Sequence, residues 1–181
     1  MKVLGILKGL FQKSLKRVQG SALPLPDKPK FENHFYDQDR RKHMTDKSIQ
    51  HQALMAAAVE AREFSYSPYS GYRVGAALMG KSGRVYTGCN VENAGYTPTN
   101  CAERTALFKA VSEGEREFSA IAVVGGAGDH LDPACTPCGV CRQVLAEFCE
   151  PDMPVIMGTP EEIRVMTLGE LLPFAFTKEN L

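Results

Sequence analysis

Cys101-Ala102-Glu103 and Pro137-Cys138-Gly139-Val140-Cys141 are the two stretches of this 181-residue chain whose side chains could do chemistry together. Cysteine binds metal as thiolate, and Cys138 and Cys141 stand one helical turn apart, so both sulfurs can reach one ion. Each stretch opens a predicted helix, where unpaired N–H groups and the positive dipole end favour thiolate over thiol. Cys101 lies far upstream and completes a three-cysteine set if the two helices begin side by side at one sheet edge. Three protein ligands leave zinc a fourth position for water, the mark of a catalytic site. Glu103 then sits near the ion without having to bind it, and its carboxylate can take a proton from activated water.

Other readings of the same cysteines stay open at this point. A single Cys-x-x-Cys also occurs in redox motifs and structural zinc sites. Cys135 forms a second such pair with Cys138, so a four-cysteine structural site, docking a partner, is a formal alternative. Thr136-Pro137 argues against it by redirecting the chain just before the helix. A structural site would make Glu103 dispensable, and a thiol redox protein would need one Cys-x-x-Cys and no Glu103. Cys89 and Cys149 are expected in the core, since free cysteine packs as a small hydrophobe.

The elements that must position these residues alternate. Alanine-rich residues 48–64 predict a helix. Residues 73–79 and 84–89 predict strands joined by a turn at Gly80-Lys81-Ser82-Gly83. A polar loop follows, then a helix over 101–112 ending before Gly114. Residues 120–124 are a continuous apolar run, hence a buried strand, and 125–137 a loop. A helix over 138–148, strands over 153–157 and 162–166, and a short helix over 168–172 complete the pattern. This order predicts an α/β fold, a layered domain around one sheet of about five strands.

Charge divides the chain. Lys plus Arg and Asp plus Glu number 21 each, which argues against a general nucleic-acid binder. Residues 1–26 carry Lys2, Lys8, Lys13, Lys16 and Arg17 and no acidic side chain, so the acidic residues all fall in the remainder. Residues 1–19 predict a short basic amphipathic helix, and Pro24, Pro26 and Pro29 mark a linker. The expected organisation is an N-terminal extension over 1–47 and one catalytic domain over 48–181. No apolar run reaches the ~18 residues of a membrane-spanning helix. The start also lacks a secretory pattern, and clustered cysteines suit a reducing compartment, so a cytoplasmic protein is expected.

Together the motifs resemble the zinc cytidine deaminases. The resemblance runs from about Met55 to the end. It includes Val74-Gly75-Ala76-Ala77, Gly88-Cys89-Asn90-Val91-Glu92-Asn93-Ala94, the Cys-Ala-Glu helix start with Arg104, Pro137 to Val144, and Glu170-Leu171-Leu172-Pro173. Cysteine at all three ligand positions is similar to the small homotetrameric branch, and the resemblance implies its fold: three α/β/α layers around a mixed sheet of about five strands. The resemblance implies hydrolytic deamination of cytidine and 2′-deoxycytidine in pyrimidine salvage, by zinc-bound hydroxide with one Zn²⁺ per subunit. It implies Cys101, Cys138 and Cys141 as ligands and Glu103 as the proton shuttle. Arg104 and Gln143 would donate hydrogen bonds to the thiolates, Asn90 and Glu92 would hold the ribose 3′-hydroxyl, and the Ala102 backbone would read the base. Tyr72 stands where relatives often carry phenylalanine, so its hydroxyl departs from the pattern. Tyr96 and Phe176 match aromatics that reach a neighbouring subunit's site. Deaminases of antibiotic nucleosides or of polynucleotides are the nearest alternatives; neutral charge disfavours the latter.

Overall fold

The computed structural model describes residues 46–181. The basic stretch and proline linker expected near the N-terminus lie outside the described residues. The elements are α1 (Asp46–Arg62), β1 (Tyr72–Gly80), β2 (Val85–Cys89), α2 (Ala102–Ser112), β3 (Phe118–Ala127), α3 (Gly139–Phe148), β4 (Pro154–Gly158), β5 (Ile163–Thr167) and the single turn α4 (Leu168–Leu171). The sheet has five strands in the order β2-β1-β3-β4-β5. β3 pairs with β4 in parallel and every other pairing is antiparallel, so the sheet is mixed as expected.

Strand alternation sorts the core into two faces. Ala76, Leu78, Ile121, Val123 and Val155 point to one side, where Ala102, Ala106, Leu107 and Ala110 of α2 and Leu145 of α3 cover them. Ala77, Ala120, Ala122, Val124 and Ile156 point to the other, against Leu54, Met55 and Ala58 of α1. The three layers are therefore α1, the sheet, and α2 with α3. Small side chains let the layers close. A Cβ on Gly75 would collide with the Ala58 carbonyl and the Arg62 amide of α1.

Two extents differ from expectation. α1 begins at Asp46 and stops at Arg62. β3 is twice as long as the apolar run suggested: Gly125, Gly126 and Ala127 continue the ladder opposite Val74, Arg73 and Tyr72. The two glycines look like loop residues in sequence. They are needed in the strand because the following loop folds back on it, and a Cβ on Gly126 would strike the His130 carbonyl.

Candidate active site

α2 and α3 both cover the same sheet face, and their N-termini meet at one edge. Cys101 is the N-cap of α2 and Cys138 the N-cap of α3, each with extended backbone and neither capped by its own side chain. Both sulfurs are therefore free to turn toward a shared point. Cys101 Sγ lies 3.9 Å from Cys138 Sγ, and Cys138 Sγ lies 3.5 Å from Cys141 Sγ. The three sulfurs all fall within 4.8 Å of one another. Tetrahedral zinc with Zn–S bonds of about 2.3 Å keeps its sulfurs about 3.8 Å apart, so this donor set fits one zinc ion. Cys135 stands outside the group. It is buried nearby, and burial pushes its thiol up to about 11, so the four-cysteine alternative has no geometric support.

The electrostatics separate the groups. A hydrogen bond from the Cys141 thiol, helped by Arg104, draws Cys101 down to about 5, and the same contact pushes Cys141 up. Arg104 Nη2 donates to the Thr99 carbonyl at 3.0 Å and to Cys101 Sγ at 3.6 Å. Its Nε is buried with no partner among the described residues. Glu103 is 3% exposed in the first turn of α2. Burial, and then the Cys101 charge, push its carboxyl up to about 7, the range in which a group can both hold and release a proton.

A cleft of about 360 Å³ opens over this cluster. Tyr72 and Val74 of β1 and Asn90 form one wall, residues 99–101 with Glu103 a second, and 134–136 with Cys138 a third. A larger cleft of about 580 Å³ runs beside α4 and the C-terminal segment, lined by Pro151, Leu168 and Pro173 among others. Among the described residues the one close group of metal-ligating side chains borders the smaller cleft, so the chemistry belongs there.

The remaining expected residues are placed unevenly. Ala102 is fully buried at the first position of α2. Asn90 is in the cleft wall, but most of its side chain is spent: Oδ1 accepts from Ser65 Oγ and the Val74 amide, and Nδ2 donates to the Tyr72 carbonyl. One Nδ2 hydrogen is left. Glu92 is not in the wall. Its carboxylate accepts from the Tyr69 and Ser70 amides and the Ser70 hydroxyl, which leaves one of about four lone-pair directions.

Gln143 does not reach the sulfurs. Its amide donates to the Phe176 carbonyl at 2.7 Å, because α3 turns that side chain toward the C-terminal segment. Tyr96 and Phe176 are 78% and 61% exposed, away from this chain's own cleft. Cys149 is buried, whereas Cys89 is only half-buried at an edge strand and donates to the Phe64 carbonyl.

Sequence reading missed Asp132, whose Oδ2 accepts from the Tyr72 hydroxyl at 3.0 Å, and Arg62, a buried cation on four carbonyls. An Asp-Pro pair after a glycine-rich segment was the available sign of a structured turn at Asp132.

Comparison with known proteins follows the same outline. Residues 48–157 match the family described as the cytidine and deoxycytidylate deaminase zinc-binding region. A cytidine deaminase of Sporosarcina psychrophila is 53% identical over 129 residues, 71% of this chain and 92% of that protein. One of Halalkalibacterium halodurans is 53% identical over 131 residues, 72% of this chain and 96% of that protein. The crystal structure of a cytidine deaminase from Burkholderia pseudomallei superposes with a TM-score of 0.63 at 48% identity, covering 74% of this chain and all of that one. With three sulfurs spaced for one zinc and a buried glutamate beside them, on this fold and at these identities, the chain belongs to the zinc-binding cytidine and deoxycytidylate deaminase family.

Proposed function

We propose that this chain deaminates cytidine and 2′-deoxycytidine by hydrolysis, giving the uridine product and ammonia. The observation that carries the reading is the juxtaposition of three cysteine sulfurs with the buried carboxyl of Glu103, where Cys101, Cys138 and Glu103 line one cleft and Cys141 is buried beside them. Cys101, Cys138 and Cys141 would hold the zinc. Bound there, zinc supplies a Lewis acid that makes water a nucleophile near neutral pH.

The chain's own groups do the rest. Glu103 accepts a proton from the attacking water and returns it to N3 of the cytosine ring, which makes C4 a better electrophile. It then takes the second proton of that water, now on the C4 hydroxyl, and passes it to the amine, which leaves as ammonia while the C4 carbonyl forms. Arg104 and the two helix N-termini offset the charge of the sulfurs. Ala102 presents backbone to the base and Tyr72 its ring. Asn90, through its remaining Nδ2 hydrogen, and Glu92, through its remaining lone pair, are the candidates for the sugar 3′-hydroxyl.

The same reading assigns catalysis to residues 48–181 and leaves 1–47 as an extension without a motif residue. Tyr96 and Phe176 would complete a neighbour's cleft in a homotetramer. Their exposure, with that of Phe64 and Phe174, supports this. Six free cysteines favour a reducing, cytoplasmic location. No described helix is long and apolar enough to cross a membrane. The test is ammonia release from cytidine and deoxycytidine by protein of measured zinc content, followed through a dilution series with light scattering. Zinc-loaded protein that releases no ammonia refutes the reading, and a fully active monomer refutes its tetrameric part.

A further inference from the structure

Between β3 and α3 the chain runs out and back as a loop, residues 128–138, that supplies one wall of the cleft and ends on Cys138. Two groups fasten it. At its base, the buried Arg62 guanidinium donates to the carbonyls of Gly126, Gly128 and His130. At its far side, Tyr72 Oη donates to Asp132 Oδ2 at 3.0 Å. Asp132 is itself fixed: its amide donates to the Gly125 carbonyl at 2.7 Å, and its Oδ1 accepts from the Ala134 amide at 2.8 Å. Beneath this pair the packing is tight. A Cβ on Gly125 would lie 2.7 Å from Cys135 Sγ and 2.9 Å from Tyr72 Cε1, so the Tyr72 ring and the Cys135 sulfur close over that glycine.

From this arrangement we infer that the Tyr72–Asp132 hydrogen bond is a latch that positions the 134–136 wall against substrate. Asp132 does not border the cleft and acts through Ala134 and Tyr72, so it is a positioning residue. Tyr72 is a specificity-determining one, since its ring borders the cleft while its hydroxyl holds the opposite wall. The Tyr72 hydroxyl thus has a partner, and the partner lies 60 residues downstream. A carboxylate acceptor makes the bond charge-assisted. Its carboxyl is held below the usual range by the Ala134 amide and then the Tyr72 hydroxyl. Arg62 holds the base of the loop whether or not the latch is shut, so opening it frees the wall without unfolding the strand.

The inference rests on the proposed nucleoside reaction for its kinetic readout, so the test pairs kinetics with a readout that needs no turnover. Wild type, Asp132→Ala, Asp132→Asn, Tyr72→Phe and the double variant Tyr72→Phe/Asp132→Ala are assayed as zinc-loaded full-length protein. With cytidine, Asp132→Ala raises KM about 3- to 10-fold, the size of one lost hydrogen bond, with kcat changed less than about twofold. Tyr72→Phe does the same, and the double variant is no worse than either single one, as a shared interaction requires. Asp132→Asn, which can still bridge Tyr72 and Ala134, recovers most of the loss. Independently, iodoacetamide labelling mapped by mass spectrometry shows Cys135 alkylated faster in Asp132→Ala and Tyr72→Phe than in wild type or Asp132→Asn. Additive effects of the two substitutions, equal Cys135 labelling in all five proteins, or loss of zinc from Asp132→Ala would each overturn the latch. Wild-type protein that turns over no cytosine nucleoside would sink the functional reading instead, and the labelling would then decide the latch alone.

Discussion

Gly88 of β2 faces Ala102 of α2 with no room for a side chain between them: a Cβ there would collide with the Ala102 carbonyl and the Ala106 amide. The start of α2, which carries Cys101 and Glu103, is therefore seated directly on the second strand. Gly88→Ala should push that helix outward, and overpacking of this kind costs about 1–3 kcal/mol. Thermal melts with zinc analysis check it: the variant melts lower and binds zinc more weakly than wild type, because its first casualty is the position of Cys101.

Glu103→Gln should keep the fold and the metal while kcat falls about 10²–10⁴-fold, the range for losing a positioned proton-transfer group. The amide has nearly the same shape but can neither take up nor release a proton near neutral pH. Circular dichroism, zinc content and ammonia release on one sample separate these effects. Wild-type turnover by this variant would exclude Glu103 as the shuttle.

Zinc content should distinguish the cysteines. Cys101→Ser, Cys138→Ser and Cys141→Ser each remove a sulfur from the close-spaced group and lose stoichiometric zinc. Cys135→Ser keeps it, since that sulfur stands apart from the set. Zinc loss from Cys135→Ser would restore the structural four-cysteine site.

Glu92 provides a pH signature. The Ser70 hydroxyl, with the Tyr69 and Ser70 amides, holds its carboxyl below the ordinary 4.5. A lowered carboxyl stabilises the fold above its unfolded value and loses that contribution as pH falls through the folded one. Glu92→Gln should therefore melt below wild type at pH 7, and the difference should close as the pH drops beneath about 4.5. A difference that is unchanged at low pH would show that the turn at 69–70 does not depend on the charge.

Much of this was legible in residue order. Cys-x-x-Cys after proline and Cys-Ala-Glu at a helix start announce two helix N-termini, and apolar periodicity placed the strands and helices that bring them together. The parts that were not legible are hydrogen bonds between residues distant in sequence. Nothing near Gln143 says that its amide faces the Phe176 carbonyl rather than a thiolate, and nothing near Arg62 says that a helix-end arginine will be buried on carbonyls up to 68 residues away. The position of Glu92 off the cleft wall has a related cause. A polar loop residue satisfies the nearest unpaired amides first, and the turn at Tyr69 and Ser70 supplied two of them. Gly125 and Gly126 read as loop because composition does not show which backbone will fold back on a strand.

The parallel pairing of β3 with β4 joins only Ile121 to Val155 and Ala122 to Ile156, whereas β1 lies along β3 over nine residue pairs. The shortest ladder of the sheet is thus a seam between a broad leaf of β2, β1 and β3 and a narrow one of β4 and β5. Amide hydrogen exchange would resolve them as separate opening units, the narrow leaf exchanging first. Cys101 is seated on the broad leaf, while Cys138 and Cys141 belong to the helix that leads into the narrow one. A metal held by all three sulfurs is a rivet across the seam, and its removal should quicken exchange in β4 and β5 far more than in β1.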